Sequence, residues 1–428
     1  MRVLTRWRRV GQLVLLAGLV TAVLARGAPA QTSTGSIRGY VTDSSGTPIE
    51  GARVAAVSVL TGAERDVETQ AKGFYALLGL VPGEYDVTVR QIGMAPQKVR
   101  VRVQIGEVAT LDLKLAATAL QLEAVTVAAA AGVETRTSEV ATNVTQKQIE
   151  ALPTASRNFL DLAALAPGVT ASEDRINGVG FRTFQGGGAS PNQSNVYVDG
   201  TSLKNDLTAG GVSGQDASRG NPFPRNAIQE YRVITQNFKA EYQNAASAII
   251  TATTKSGGNT WQGSAFYGYQ SKDLVALDTF QIAAKNKADS IANATGKPST
   301  FSEPDYTRSL VSLSLGGPIQ RNKLFFFGAY EGNYQNRANL VSFNPPTSFP
   351  ALDAVNLAQY NGNFTSPFRE TLVFGKLNYM LDPKSSLELS LSDRHETDVR
   401  DFGNVNCSMC AFQSAVNYLN NVIIGQLK

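Results

Sequence analysis

The chain has 428 residues, more than one hydrophobic core usually holds, with 38 glycines and a charged fraction of 17%. Its formal net charge of +4 is deceptive: residues 1–30 hold five arginines and no acid, which leaves 34 basic against 35 acidic side chains in the remainder. A near-neutral chain has no electrostatic footing for nucleic acid, and a single histidine, His395, cannot furnish a Cys/His metal cluster.

The N-terminus reads as an export signal. Arg2, Arg6, Arg8 and Arg9 form a basic n-region, and Val10 to Leu24 is an apolar stretch too short to span a bilayer. Ala28-Pro29-Ala30 fits an A-x-A cleavage site, so residues 1–30 are expected to be a signal peptide and Gln31 the first mature residue. No later apolar run reaches the roughly 20 residues of a membrane-spanning helix.

Residues 34–116 alternate like a small β-sandwich. The strand candidates are Ser36–Thr42, Ala52–Leu60, Gly73–Leu78, Glu84–Arg90, Lys98–Ile105 and Ala109–Leu115. Val99, Val101 and Val103 alternate with Arg100, Arg102 and Gln104, which puts the valines on one face. Turns fall at Asp43–Pro48 and Val81-Pro82-Gly83.

A linker of residues 117–144 follows. It contains the β-prone hexamer Leu122-Glu123-Ala124-Val125-Thr126-Val127, bounded by small residues. Such a strand is suited to an edge, to a linker, or to addition onto a partner's sheet. Residues 145–259 turn to an α+β pattern. Thr145 and Gln148 make a capping box, and Phe159, Leu162, Ala163 and Ala166 share one helical face that Pro167-Gly168 ends. Asn195–Val198 is a short buried strand entering an Asp199-Gly200 turn, and Ile228–Thr235 is a further strand that Ala246–Thr254 is expected to continue, closed by Lys255-Ser256-Gly257-Gly258-Asn259.

From residue 260 onward, separated stretches alternate strictly. Val311, Leu313 and Leu315 share one face, as do Leu387, Leu389 and Leu391. Six strand candidates are Trp261–Gln270, Thr307–Gly317, Lys323–Tyr334, Glu370–Leu381, Ser386–Glu396 and Ala415–Lys428. An exported chain has two apolar media for such a face, a protein core or the lipid around a barrel. Phe325, Phe326, Phe327, Tyr330, Phe374 and Tyr379 are candidates for an aromatic girdle in the lipid case and for core aromatics in the other. The two cysteines, Cys407 and Cys410, are expected to form a short disulfide in an exposed loop, with redox chemistry the alternative.

Three strings carry a family resemblance. Gly39 to Val54 (G-Y-V-T-D-S-S-G-T-P-I-E-G-A-R-V) and Gly73 to Val89 resemble the carboxypeptidase regulatory-like domain, an accessory transthyretin-like sandwich and not a peptidase. The run I-E-A-L-P-T-A-S-R-N-F-L-D-L-A-A-L-A-P-G-V, then V-Y-V-D-G, then A-S-A-I-I-T-A-T-T-K-S-G-G-N resembles the plug domain of TonB-dependent outer-membrane receptors. Gly316 to Gly332 resembles an early barrel hairpin of the Oar-like branch, which bears the regulatory-like domain.

The resemblance implies a mainly β, multidomain chain: signal peptide, sandwich, α+β plug, and in residues 260–428 the first strands of an antiparallel transmembrane β-barrel. It makes Leu122–Val127 the TonB-box candidate, though Ala124 and Thr126 depart from the commoner E-V-V-V-T pattern, and makes Asp199, Gly200 and Lys255 to Asn259 plug signature turns. The implied partners are the periplasmic TonB protein, outer-membrane lipid and an extracellular substrate among iron chelates, glycans, cobalamin and peptides. No catalytic group, metal or cofactor is expected.

Outer-membrane transporters close a barrel of about 22 strands around their plug, and an open edge in lipid leaves backbone groups unpaired. Six strands are therefore expected to be an N-terminal part of a longer receptor. Two other classes share these features: a surface adhesion or assembly protein on the same scaffold, and a soluble secreted binding module. Gly186-Gly187-Gly188 lacks the Lys-Ser/Thr of a phosphate loop, and Asp199 reads as a solvent-exposed turn residue.

Overall fold

The computed structural model describes residues 34–116, 138–154, 157–176, 179–204, 212, 220–341, 362–400 and 416–427. The expected signal peptide, the hexamer Leu122–Val127, and Cys407 and Cys410 lie outside them. Among the described residues no helix is long and apolar enough to cross a membrane.

The N-terminal sandwich holds β1 (Gly35–Asp43), β2 (Arg53–Ser58), β3 (Glu64–Glu68), β4 (Phe74–Leu80), β5 (Gly83–Arg90), β6 (Gln97–Val103), β7 (Val108–Thr110) and β8 (Leu113–Leu115). One sheet runs β4-β1-β7 with β8 also on β1; the other runs β3-β2-β5-β6. In β6 the valines 99, 101 and 103 enter the core and Lys98, Arg100 and Arg102 face out, as the alternation predicts. Two features differ from expectation. Strand β3 carries four charged residues in five (E-R-D-V-E) and forms because β2 offers it a ladder, not because it buries an apolar face. The run Ala109–Leu115 is broken into β7 and β8, which pair with successive parts of β1. At that break a Cβ on Gly39 would sit 1.8 Å from the Leu111 carbonyl oxygen, so only glycine fits.

The central domain comprises β9 (Val140–Val144), α1 (Gln146–Ala151), a 3₁₀ segment Phe159–Leu165, the hairpin β10 (Val169–Ile176) and β11 (Val179–Gly186), then β12 (Asn195–Val198), β13 (Thr201–Ser202), β14 (Ile228–Gln236) and β15 (Ile249–Thr254). The sheet order is β13-β12-β15-β14-β9. The Thr145–Gln148 capping box opens α1. The predicted second helix is 3₁₀, with the Asn158 side chain accepting the Leu160 N–H at 3.0 Å. Phe159, Leu160, Leu162 and Ala163 are buried there, and extended Ala166 before Pro167 ends it. Strand β15 does not prolong β14 but pairs with it antiparallel, and all six of its residues are buried.

Six strands form a wall: β16 (Gln262–Ser271), β17 (Tyr306–Gln320), β18 (Leu324–Val341), β19 (Gly362–Asp382), β20 (Ser385–Arg400) and β21 (Val416–Leu427). Each is antiparallel to the next, and β16 and β21 are the two edges. At one end the strands are joined by tight turns before Leu324 and Ser385. At the other, long connections follow Ser271, Val341 and Arg400, the first carrying helix α2 (Thr279–Thr295). Short turns on one rim and long loops on the other are the asymmetry of outer-membrane barrels.

The wall is inverted relative to a soluble sheet. Ser312, Glu331, Asn333, Glu370, Lys376, Arg394 and Glu396 are buried against the central domain. On the opposite face Leu313, Leu315, Leu387, Leu389 and Leu391 are each 43–53% exposed. The girdle expectation holds only in part. Phe325, Phe327 and Phe374 turn inward, with the Phe374 ring 5.1 Å from that of Phe223. Phe326, Tyr330 and Tyr379 alternate to the other face. Three consecutive phenylalanines in a strand must split between faces, and of the inner two Phe327 packs in the apolar core of the central domain.

Candidate functional site

The functional candidate is the set of joints by which the central domain is held in the wall and by the sandwich. The first begins at the Asp199-Gly200 turn between β12 and β13, where φ is +48° and +86°, the left-handed pair of a tight hairpin. Asp199 is not exposed, as its turn position led us to expect, but 5% accessible, because the wall covers it. It accepts the Thr254 N–H at 3.0 Å and the Thr254 hydroxyl at 2.5 Å. Its Oδ2 lies 3.2 Å from Nζ of Lys376 on β19, which is also 3.1 Å from Glu388 on β20. Glu388 accepts a further bond from Asn378 Nδ2 at 2.9 Å. A cation buried between two carboxylates ties the hairpin to two wall strands, and removing one member leaves an unbalanced buried charge.

The second joint is a carboxylate cluster created by strand register. Glu370 on β19 lies directly opposite Asn333 on β18 and Glu396 on β20, with Glu331 two residues before Asn333 on the same face. The central domain meets this cluster with backbone. The Asn221 N–H donates to Glu370 Oε1 at 2.6 Å, and Asn221 Nδ2 to Glu331 Oε1 at 3.2 Å. A Cβ on Gly220 would sit 2.1 Å from Glu370 Oε1. Arg157 lies 3.5 Å from Glu331 and Arg394 lies 3.5 Å from Glu370, while Arg394 also bonds Glu396. The Arg157 guanidinium stacks 4.0 Å from the Phe266 ring centroid. Arg225 closes the base by donating to the Ile149 and Leu152 carbonyls and to Thr154 Oγ1.

None of these arginines and glutamates was singled out from sequence. The available signal was acids recurring on the polar face of adjacent alternating strands, and it becomes a cluster only once register is known. Among the described residues no group of three or more His, Cys, Asp or Glu is arranged to hold a metal.

The third joint is Lys255 to Asn259, reached from Asp199 through Thr254. Lys255 Nζ is 2.9 Å from Glu150 on α1, and its N–H bonds the Ala227 carbonyl at 2.7 Å. A Cβ on Gly257 would lie 2.1 Å from the Phe326 carbonyl oxygen, and one on Gly258 2.3 Å from the Leu60 side chain. Asn259 donates its N–H to the Leu60 carbonyl at 2.8 Å and exchanges two 2.8 Å bonds with Asn322 in the β17–β18 turn. Both glycines are thus sites of close backbone approach where central domain, wall and sandwich converge.

The fourth joint is between sandwich and central domain. Glu230 of β14 accepts the Ile105 N–H at 2.6 Å and lies 3.7 Å from Arg102. Burial pushes its carboxyl up from 4.5 to about 7, with Glu107 adding to the rise and the Ile105 bond and Arg102 opposing it. A cavity of about 780 Å³ lies beside the third and fourth joints, lined among others by Arg102, Glu150, Arg157, Arg225, Lys255 and Phe266.

Three domain families match successive parts of the chain. Residues 36–116 match the carboxypeptidase regulatory-like domain, residues 134–249 the TonB-dependent receptor plug domain, and residues 253–420 an outer membrane beta barrel domain. The TonB-dependent transporter Oar of Myxococcus xanthus is 24% identical over 399 residues, covering 87% of this chain and 35% of that protein. Similar solved structures include the outer membrane transporter YddB from Escherichia coli (16% identity, TM-score 0.43, 61% of this chain and 33% of that one). Another is the siderophore receptor PirA from Acinetobacter baumannii (17% identity, TM-score 0.41, 65% of this chain and 35% of that one). The chain spans about a third of the length of each. The carboxypeptidase regulatory-like domain, the TonB-dependent receptor plug domain and the outer membrane beta barrel domain thus follow one another in a single chain that is similar over 87% of its length to a TonB-dependent transporter.

Proposed function

We propose that this chain supplies the plug and first wall strands of an importer that carries a scarce nutrient across the outer membrane. The periplasmic TonB protein energises it by pairing with Leu122–Val127 as an added strand and pulling. The observation that carries this reading is the inverted wall: charged and polar side chains buried, with some aromatics, on the face toward a folded domain, and a leucine-lined face turned outward. A soluble sandwich buries its apolar face, whereas a wall between lipid and a filled lumen buries its polar one. Substrate recognition belongs to the long connections after Ser271, Val341 and Arg400 and to the plug surface facing them. In this assignment residues 1–30 are the signal peptide, 34–116 the sandwich, 117–144 the TonB-box linker, whose last five residues form β9 and join the plug sheet, 145–259 the remainder of the plug and 260–428 the barrel portion.

The test is Val125→Pro in the full-length receptor. Proline removes a ladder donor from the added strand and is expected to abolish energised uptake while leaving receptor levels and cell-surface substrate binding intact. Uptake at the parental rate would refute the assignment of the coupling strand.

A further inference from the structure

The sandwich is fastened to both bodies that a transport cycle has to separate. On the plug side, Glu230 takes the Ile105 N–H at 2.6 Å, Gln229 Nε2 donates to the Pro82 carbonyl at 2.9 Å, and Asn143 Nδ2 donates to Gln104 Oε1 at 2.8 Å. These three plug residues lie on β14 and β9, the two neighbouring strands at one edge of the plug sheet. On the wall side, the Glu64 N–H donates to the Pro383 carbonyl at 3.0 Å and Lys384 Nζ lies 2.6 Å from Asp66, while the Leu60 carbonyl accepts the Asn259 N–H where the plug ends. Both wall contacts fall on the tight-turn rim.

One side chain joins the sandwich to the start of β9. Arg232 on β14 reaches Glu139 Oε2 at 3.3 Å and the Ile105 carbonyl at 3.5 Å, and a Cβ on Gly106 would lie 3.2 Å from its Cδ. Glu139 is buried immediately before β9, and Lys239 lies 3.9 Å from its other oxygen. The chain leaves the sandwich just after β8 and enters the plug just before β9. A pull applied between residues 116 and 138 therefore loads the sandwich and the β9 anchor together, and Arg232 connects the two.

We propose that the regulatory-like sandwich is a latch: docked, it locks the β9–β14 edge of the plug to the tight-turn rim of the wall, and it must be unseated before the plug moves. The proposal rests on the importer reading for the direction of the pull, but the latch itself is a property of the resting receptor. Undocking exposes the ends of β9 and β14, the plug strands nearest the coupling linker, so the sandwich decides which part of the plug yields first.

The experiment is hydrogen–deuterium exchange on the purified full-length receptor in detergent, with neither TonB nor substrate present. Arg102→Ala with Gln104→Ala weakens the plug side, and Asp66→Ala with Lys384→Ala the wall side; Arg100→Ala, whose partner is Asp86 within the sandwich, is the control. Each docking pair is expected to speed exchange in β9 and β14 about threefold, the effect of losing one exposed ion pair on the wall side, or one ion pair with a neutral bond on the plug side, while β1 and β4, which carry no partner of the changed side chains, keep parental rates. A second variant runs the other way. Asp66→Cys with Lys384→Cys, in a Cys407→Ser, Cys410→Ser background and bridged by a short bis-methanethiosulfonate, is expected to slow β9 and β14 below the parent. Parental exchange in β9 and β14 in both docking pairs, or in the bridged receptor, overturns the latch. These readouts do not depend on uptake, so their failure is separate from that of the importer reading, which Val125→Pro tests.

Discussion

Replacing Glu230 with glutamine tests the sandwich–plug joint quantitatively. The carboxyl is buried, accepts the Ile105 N–H and sits beside Arg102, and its pKa is raised from 4.5 to about 7. A raised folded-state value means the stabilisation is fully present below the ordinary carboxylate range and is lost as pH rises through about 7. Charged groups facing the site are Arg102, which favours the ionised form, and Glu107, which disfavours it. At about 1.4 kcal/mol per unit, raising the pH from 5 to 8 should weaken docking by roughly 2–3 kcal/mol in the parent. Glutamine keeps the acceptor oxygen for Ile105 and cannot ionise, so Glu230→Gln should show little pH dependence and dock more tightly than the parent at pH 8. The assay is amide exchange of Ile105 and β14 at pH 5, 6, 7 and 8, corrected for intrinsic rates. Identical pH profiles for parent and variant would show that Glu230 does not titrate in the joint and refute the reasoning.

Three further outcomes are expected. Lys376→Met should cost about 3–5 kcal/mol in folding experiments in lipid, because it strands buried Asp199 and leaves half-buried Glu388 without its cation, and adding Asp199→Asn should recover part of the loss; a cost under about 1 kcal/mol would mean Asp199 is solvated after all. Leu389→Arg on the outward face of β20 should destabilise the receptor in bilayers by up to about 2–4 kcal/mol, and a neutral result would remove lipid from that face. Cys407 and Cys410, between β20 and β21 in sequence, should resist alkylation in the exported receptor until a reductant is added; immediate modification of both would exclude the disulfide.

Much of the architecture was legible in the sequence because it rests on local rules. The period-2 runs in β6, β17 and β20 needed only the backbone's alternation, the Asp199-Gly200 hairpin only its tolerance of positive φ, and α1 only its capping box. All six wall strands appear near their expected positions, several extended by residues whose pairing partners lie on the next strand. Strand β3 escaped notice since a charged pentamer has no reason of its own to be extended. The 3₁₀ form of Phe159–Leu165 likewise depends on how four apolar side chains seat in a core.

The tertiary structure alone decided which face of each strand meets what. Alternation showed that Leu387, Leu389 and Leu391 share a side, but not that this side points away from the protein, nor that Phe325 and Phe327 point inward. Asp199 looked exposed because turns usually are, and it is buried because Lys376, 177 positions later, lies over it. The Glu331, Glu370 and Glu396 cluster likewise exists only through register among three strands. Backbone preference acts over a few residues and is written into each segment. Charge pairing and burial act across space, between residues whose separation along the chain gives no hint that they meet.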